Sequence, residues 1–263
     1  MLSPDELLAW YQRLEVTEAA RAEIDRIRSA GPSRRVGGGS DNVSGRYPSR
    51  KMGVTIQFES HRVELAFVRE MEHDPDVLEY YDQPQPFPLD YTSAKGRHLR
   101  VAHTPDFLVV RGATAGWEEC KAEDELERLS QKSPHRYYRD DAGTWHCPPG
   151  EEYARRFGLY YRVRSSGEIN WVLQRNFQFL EDYLPTACAK ADRRTRELAL
   201  ALVSPEPGIS LSDLFRRTAD RVTRDDIYTL IATGELYVDL GNAPLAESAI
   251  VRVFANREAA EVD

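Results

Sequence analysis

The chain has 263 residues, of which 41% are hydrophobic and 30% charged, and a formal net charge of −8 at neutral pH. That length suits one large domain, or a domain with a small appendage, each with its own core; no window reaches the roughly 18 apolar residues of a membrane span or has the pattern of a signal peptide. Cys120, Cys147 and Cys188 are an odd number without CxxC spacing, which argues against a disulfide framework and a structural zinc site. A soluble protein of a reducing, cytoplasmic compartment is expected.

Residues 4–30 read as helical. Leu7, Leu8, Tyr11 and Leu14 recur at helical spacing, Ala20, Ile24 and Ile27 continue it, and Ser3-Pro4 supplies a start signal. Gly31-Pro32 breaks the pattern, and the stretch 32–51 has no periodicity and reads as a loop. It holds Arg34, Arg35, Arg46, Arg50 and Lys51 against Asp41 as its sole acid, so it is locally basic although the chain is acidic. It is either a flexible linker or an arm that contacts nucleic-acid phosphates.

A strand is expected over 54–58 and a helix over 59–72, with Val63, Phe67, Val68 and Met71 on its apolar side and Asp74-Pro75 ending it. Strands follow at 77–81 and 87–91 around Gln83-Pro84-Gln85-Pro86, whose prolines cannot donate to a central ladder. Lys95-Gly96-Arg97 makes a basic hairpin tip, and Lys95 and Arg97 join the candidate phosphate-facing cations. Strands at 99–102, 106–110 and 116–121, a helix at 126–132, a loop over 137–149, a helix at 150–157, a strand at 159–163 and a helix at 174–184 complete a small mixed sheet flanked by helices, an α/β domain. After Cys188 the pattern changes to helices at 192–202, 210–218 and 223–233, then strands at 236–240 and 250–254 paired across Gly241-Asn242 and Pro244. Three helices and a hairpin are the layout of a winged helix. The expected organisation is a helical segment over 1–30, a catalytic α/β domain over 31–187 and a winged-helix domain over 188–263.

Chemistry concentrates at Thr104-Pro105-Asp106 and, one strand later, Glu119-Cys120-Lys121. Hydrolysis of a phosphodiester calls for a hard cation that neutralises developing charge and activates water. Mg²⁺, with Mn²⁺ as a substitute, takes oxygen ligands and usually only a few carboxylates. Asp106 and Glu119 fall on neighbouring strands and can reach one ion. The two-residue period of a strand puts Glu119 and Lys121 on one face, where the ammonium can orient the water or stabilise the transition state. Cys120 then faces the core, with its backbone carbonyl as a further ligand, and Glu118 faces the same way as Cys120. Glu64, on the helix before the sheet, supplies a third acid, with Glu59 as the alternative. His103 is either a ligand or base, or a local hydrogen-bonding group. His135, His146 and Cys147 lack paired zinc-ligand spacing, and Gly37-Gly38-Gly39 has no GK[ST] after it to make a phosphate loop.

These residues carry a family resemblance. The run Ser60-His61-Arg62-Val63-Glu64-Leu65-Ala66-Phe67, the segment Val77 to Gln83 with its following proline, Thr104-Pro105-Asp106-Phe107 and Glu119-Cys120-Lys121 together resemble TnsA, the endonuclease subunit of heteromeric cut-and-paste transposases, over about residues 30–255. The resemblance implies a restriction-endonuclease-like PD-(D/E)xK catalytic domain followed by a winged-helix domain. Its helix glutamate falls on Glu64, its strand aspartate on Asp106, its Glu or Gln position on Glu119 and its lysine on Lys121. It further implies Mg²⁺-dependent nicking of the 5′ strands at transposon ends, beside a TnsB-like DDE transposase that handles the 3′ ends and a TnsC-like AAA+ ATPase that contacts the C-terminal domain. On that reading the protein is bacterial and associates with the nucleoid when assembled on DNA; some relatives belong to CRISPR-associated transposons. Cys120 stands where a branched apolar residue is usual, and residues before Pro32 align with nothing in the family. The expected recognition helix, 223–233, carries Asp225 and Asp226 against Arg224 alone; acids there repel phosphate, which favours protein docking over DNA reading. A stand-alone restriction or repair nuclease and a non-catalytic assembly factor are the competing readings.

Overall fold

The computed structural model describes residues 1–34, 44–93, 95–184 and 191–261. Arg35, among the expected phosphate-facing cations, lies outside the described residues. The chain divides into two compact units, Met1–Ile169 and Asn170–Asp263.

The first unit contains, in chain order, α1 (Pro4–Arg13), α2 (Glu18–Ser29), β1 (Gly45–Ser49), β2 (Val54–Phe58), α3 (Glu64–His73), β3 (Val77–Asp82), β4 (Phe87–Thr92), β5 (His98–His103), β6 (Phe107–Arg111), β7 (Ala115–Lys121), α4 (Glu123–Lys132), β8 (Tyr138–Arg139), β9 (Trp145–His146), α5 (Pro148–Arg155) and β10 (Tyr160–Ser165). Its central sheet has the order β10-β7-β6-β3. β10 runs parallel to β7, whereas β6 runs antiparallel to β7 and β3. The sheet is therefore mixed, and β1–β2, β4–β5 and β8–β9 form separate antiparallel pairs. Gly116 permits the close approach of β10 to β7, since a Cβ there would run into the Tyr160 backbone.

Alternation along the strands sorts the core into two layers. Leu108, Val110, Trp117 and Tyr161 pack on one face with residues of α1, α2, α4 and α5 and with Phe87 and Leu89 of β4. Phe107, Val109, Tyr80 and Cys120 pack on the other with Ile56 of β2 and Phe67, Val68 and Met71 of α3. The charged residues of that second face pair internally: buried Glu118 accepts from Arg111 Nη2 at 2.9 Å and from Arg164 Nη1 at 3.3 Å.

The N-terminal helices belong to this core. α1 starts with a capping box between Ser3 and Glu6, and Leu7, Trp10, Tyr11, Ile24 and Ile27 sit in the same apolar layer as the sheet. Fully buried Glu79 of β3 accepts from Leu2 N at 2.7 Å and from Arg28 Nε and Nη2 at 2.8 Å, which ties the N-terminus and α2 to the sheet edge.

Several elements differ from the sequence expectations for tertiary reasons. Residues 45–49, read as part of a loop, form β1, whose ladder is supplied entirely by β2 with Tyr47 opposite Ile56; Gly45-Arg46-Tyr47-Pro48-Ser49 has no alternation to announce a strand. The loop over 137–149 contains the β8–β9 pair, and α5 starts at Pro148. α3 begins at Glu64 because residues 60–63 make a turn in which Ser60 Oγ accepts from Val63 N and Ser60 O from Leu65 N.

The second unit contains α6 (Trp171–Leu180), α7 (Arg193–Val203), β11 (Ile209–Ser210), α8 (Leu211–Thr218), α9 (Arg224–Ala232), β12 (Arg252–Val253) and α10 (Arg257–Glu261). It has its own core, in which Leu180, Ala199, Leu211, Leu214, Ile227, Leu230 and Val253 are buried together. α6 counts with this unit, ahead of the composition change near residue 188, because Asn176 Nδ2 donates to Leu240 O and Ala243 O and Asn176 Oδ1 accepts from Leu245 N. The expected hairpin is reduced to one bridge, Tyr237 opposite Phe254; Arg252–Val253 pairs instead with Ile209–Ser210. Alternation marks a strand's faces but does not name its partner. Among the described residues, no helix is long and apolar enough to cross a membrane.

Candidate active site

Three elements converge on one polar cleft of about 350 Å³ at the ends of β6 and β7. Asp106 directly precedes β6, where its backbone carbonyl accepts from Gln83 N at 2.8 Å and its Oδ2 from Cys120 N at 2.7 Å. Glu64 opens α3, and its Oε2 accepts from Glu59 N at 2.9 Å. Glu119 and Lys121 leave β7 on the same face, with Nζ 2.9 Å from Glu119 Oε1. Cys120 is buried on the opposite face, and Glu118 shares that side with Arg111 and Arg164. The structure thus brings Glu64, Asp106, Glu119 and Lys121 to one cleft, which Cys120 also lines.

Glu119 is held by groups that sequence reasoning did not single out. Tyr137 Oη donates to its Oε1 at 2.9 Å and Tyr161 Oη to its Oε2 at 2.5 Å. Tyr161 Oη in turn lies 2.7 Å from His103 Nε2, and Arg136 Nη2 reaches His103 Nδ1 at 3.4 Å. Because Tyr161 gives its only proton to Glu119, its oxygen accepts from His103, which assigns the proton to Nε2 and leaves Nδ1 to accept from Arg136. Burial lowers the His103 pKa despite neighbouring Glu119, consistent with the neutral ring. Tyr161 has the parity of Val163 on an alternating strand, a weak clue to a buried hydroxyl. Tyr137 and Arg136 lie at the edge of an aperiodic stretch that offers none.

The carboxyls divide into two electrostatic kinds. Burial raises Glu119, but the Lys121 ammonium and the Tyr161 hydroxyl outweigh it and bring its pKa down to about 2. Burial and the neighbouring Asp106 charge push Glu64 up to about 8. Burial also pushes Asp106 up to about 7, with Lys121 opposing and Glu119 reinforcing the shift. Lys121 is raised: burial opposes its charge, but Glu119 and Asp106 prevail. An ionised Glu119 beside two acids that retain protons near neutrality is a pattern of separated acid–base roles.

Among the described residues, no three His, Cys, Asp or Glu side chains are already gathered as a cation site. The donor chemistry nevertheless fits a hard divalent ion. The acids of the cleft are oxygen donors, and burial raises the proton affinity of Glu64 and Asp106, a cost that a cation between them would offset. Glu64, Asp106, Glu119 and the Cys120 carbonyl are the groups that would hold the ion.

The expected phosphate-facing cations are distributed unevenly. Arg34 lines the cleft, donating from Nε to Gln83 Oε1 at 2.6 Å and from Nη2 to Glu59 Oε2 at 3.0 Å. Arg46 and Arg50 are exposed on and after β1, and Lys95 and Arg97 are exposed at the β4–β5 turn. Lys51 is placed differently from a phosphate-facing cation: its Nζ donates to the carbonyls of Met71, Asp74 and Val77 at 2.7, 2.6 and 2.7 Å, closing the C-terminal end of α3.

Residues 74–166 match the family model described as TnsA-like endonuclease N terminal. A comparison with curated proteins finds no match. The matched stretch carries β3 through β10 and therefore Asp106, Glu119 and Lys121, whereas Glu64 reaches the same cleft from outside it. The mixed sheet and the Asp106, Glu119 and Lys121 side chains of the cleft thus lie in a stretch similar to a TnsA-like endonuclease N-terminal domain.

Proposed function

We propose that the protein is a Mg²⁺-dependent DNA endonuclease that nicks the 5′ strands at transposon ends, working with a TnsB-like DDE transposase and a TnsC-like AAA+ ATPase. The observation that carries this reading is the meeting of Asp106, Glu119 and Lys121 with Glu64 in one polar cleft. When bound, a divalent ion would supply Lewis-acid stabilisation of the phosphate and a more acidic water. The chain's own residues do the rest. Tyr137 and Tyr161 keep Glu119 ionised and fixed, and Lys121, 2.9 Å from it, stands where an ammonium can orient the attacking water and neutralise charge on the phosphate oxygens. Water oxygen bonds to phosphorus and releases a proton as the bond to the sugar oxygen breaks, and the leaving oxygen takes up a proton, so none is gained or lost overall.

The second unit supports a winged-helix reading by its order of α7, β11, α8, α9 and β12. Its α9 helix opens with Arg224 followed by Asp225 and Asp226, the latter closing a capping box with Thr223, so that end is net acidic. Docking of the AAA+ partner suits this surface better than DNA does.

The test is Asp106→Ala in the reconstituted transposase. Cleavage at 5′ ends should disappear while the partner's 3′ cuts continue; a folded variant that nicks 5′ ends at the wild-type rate would refute the proposal.

A further inference from the structure

Gln83 has the least ordinary backbone in the first unit. Its φ is +46°, and among the described non-glycine residues only Glu15 shares a positive φ. Glu15 is exposed in a turn, whereas Gln83 is 1% exposed at the end of β3. A long side chain seldom occupies this region unless its surroundings hold it there. Here they do so through three bonds. Gln83 N donates to Asp106 O at 2.8 Å, Gln83 O accepts from Ser33 N at 2.8 Å, and Gln83 Oε1 accepts from Arg34 Nε at 2.6 Å. Its Nε2 is buried with no partner among the described residues, so only the carbonyl half of the amide is satisfied.

What this arrangement secures is Arg34. The cleft is rich in carboxylates, and each of its cations has a partner: Lys121 pairs with Glu119, Arg136 with His103 and Arg34 with Glu59. Lys121 and Arg136 are half-buried, while Arg34 is exposed at the cleft. Gln83 and Glu59 fix Nε and Nη2, which sets the plane of the guanidinium. With five N–H donors in a rigid fork, such a group can keep both bonds and still meet a phosphate. Prior fixing also removes most of the side-chain ordering that binding would otherwise require.

We propose that Gln83 is a positioning residue that holds Arg34 as a clamp for a DNA backbone phosphate entering the cleft, while its own backbone fixes the start of β6 at Asp106. The inference rests on the nuclease reading for the identity of the ligand, but its test reads DNA binding apart from cleavage.

Full-length Gln83→Gly, Arg34→Ala and the double variant would be compared in binding a duplex oligonucleotide over a range of salt. Glycine accepts the positive φ and keeps both backbone bonds, so the melting temperature of Gln83→Gly reports whether the fold survives. Each single variant should weaken binding about tenfold and lower the salt slope by about one. The double variant should bind no more weakly than Arg34→Ala alone. Wild-type affinity in Arg34→Ala, or full additivity of the two changes, would overturn the proposal. If Gln83→Gly fails to fold, Gln83→Glu replaces it: its carboxylate can still accept from Arg34, so near wild-type binding is expected, and loss of binding in that folded variant would count against the clamp. A chain that binds DNA in this way but nicks nothing would sink the nuclease reading and leave this one standing.

Discussion

Replacing Asp106 by asparagine should stabilise the isolated protein while removing a group its chemistry needs. The Asp106 carboxyl titrates at about 7 in the folded protein against an ordinary value of 3.8, because burial outweighs the help of Lys121 and of the Cys120 N–H. One unit corresponds to about 1.36 kcal/mol, so the ionised group opposes folding by at most ~4 kcal/mol. The sign follows from proton counting. Between about pH 4 and 7 the folded state keeps a proton that the unfolded chain has released, so stability falls as pH rises through that window and levels off above it. Asparagine carries no charge, and its amide oxygen can still accept from Cys120 N, as Oδ2 does at 2.7 Å. The raised pKa already includes the attraction of Asp106 for Lys121, so we expect up to ~4 kcal/mol of added stability near pH 8, shrinking toward zero near pH 4. Urea denaturation of both proteins across that range, without divalent ions, measures the difference. A difference that does not vary with pH, or a variant less stable than wild type near pH 8, would refute the electrostatic account of the cleft.

Four further outcomes follow from the same geometry. Mn²⁺ affinity, followed by calorimetry, should rise between about pH 6 and 8 with release of protons, since Glu64 and Asp106 must ionise to bind; a flat profile would exclude both as ligands. Tyr161→Phe removes the 2.5 Å bond to Glu119 and should cost about tenfold in Mn²⁺ affinity, and unchanged affinity would mean that the hydroxyl does not position the carboxylate. Lys121→Ala should slow nicking at least ~100-fold with the fold intact; near wild-type nicking would remove the lysine from the mechanism. Arg28→Ala leaves fully buried Glu79 without its guanidinium and should destabilise the first unit by roughly 3–5 kcal/mol, whereas an unchanged melting temperature would show residues 1–30 to be dispensable to the core.

The acids and the lysine could be found in the sequence because strand alternation is a local rule. Glu119 and Lys121 share a face whatever β7 packs against, and Cys120 must then turn to the core. The amphipathic pattern of Val63, Phe67, Val68 and Met71 likewise exposes a helix, expected over 59–72, that carries Glu64 as a spare acid. Tyr137, Tyr161 and His103 were harder to place, since each owes its role to a partner many residues away. β1 was illegible for the same reason: its ladder exists only against β2. Lys51 shows the opposite error, in which local basicity suggested a phosphate contact and the fold assigned its ammonium to three carbonyls at the end of α3.

By itself, the sequence determined which residue types stand on which face of β7, that the preceding helix offers an acid, and that the chain changes character toward its C-terminus. Only the tertiary structure decided which of those acids keep their protons, since a carboxyl's proton affinity depends on burial and on charges brought near from other strands. It also decided that residues 1–30 belong to the core, that α6 belongs to the second unit, and that Gln83, at the end of a strand and before a proline, sits in a left-handed conformation holding Arg34 beside Asp106.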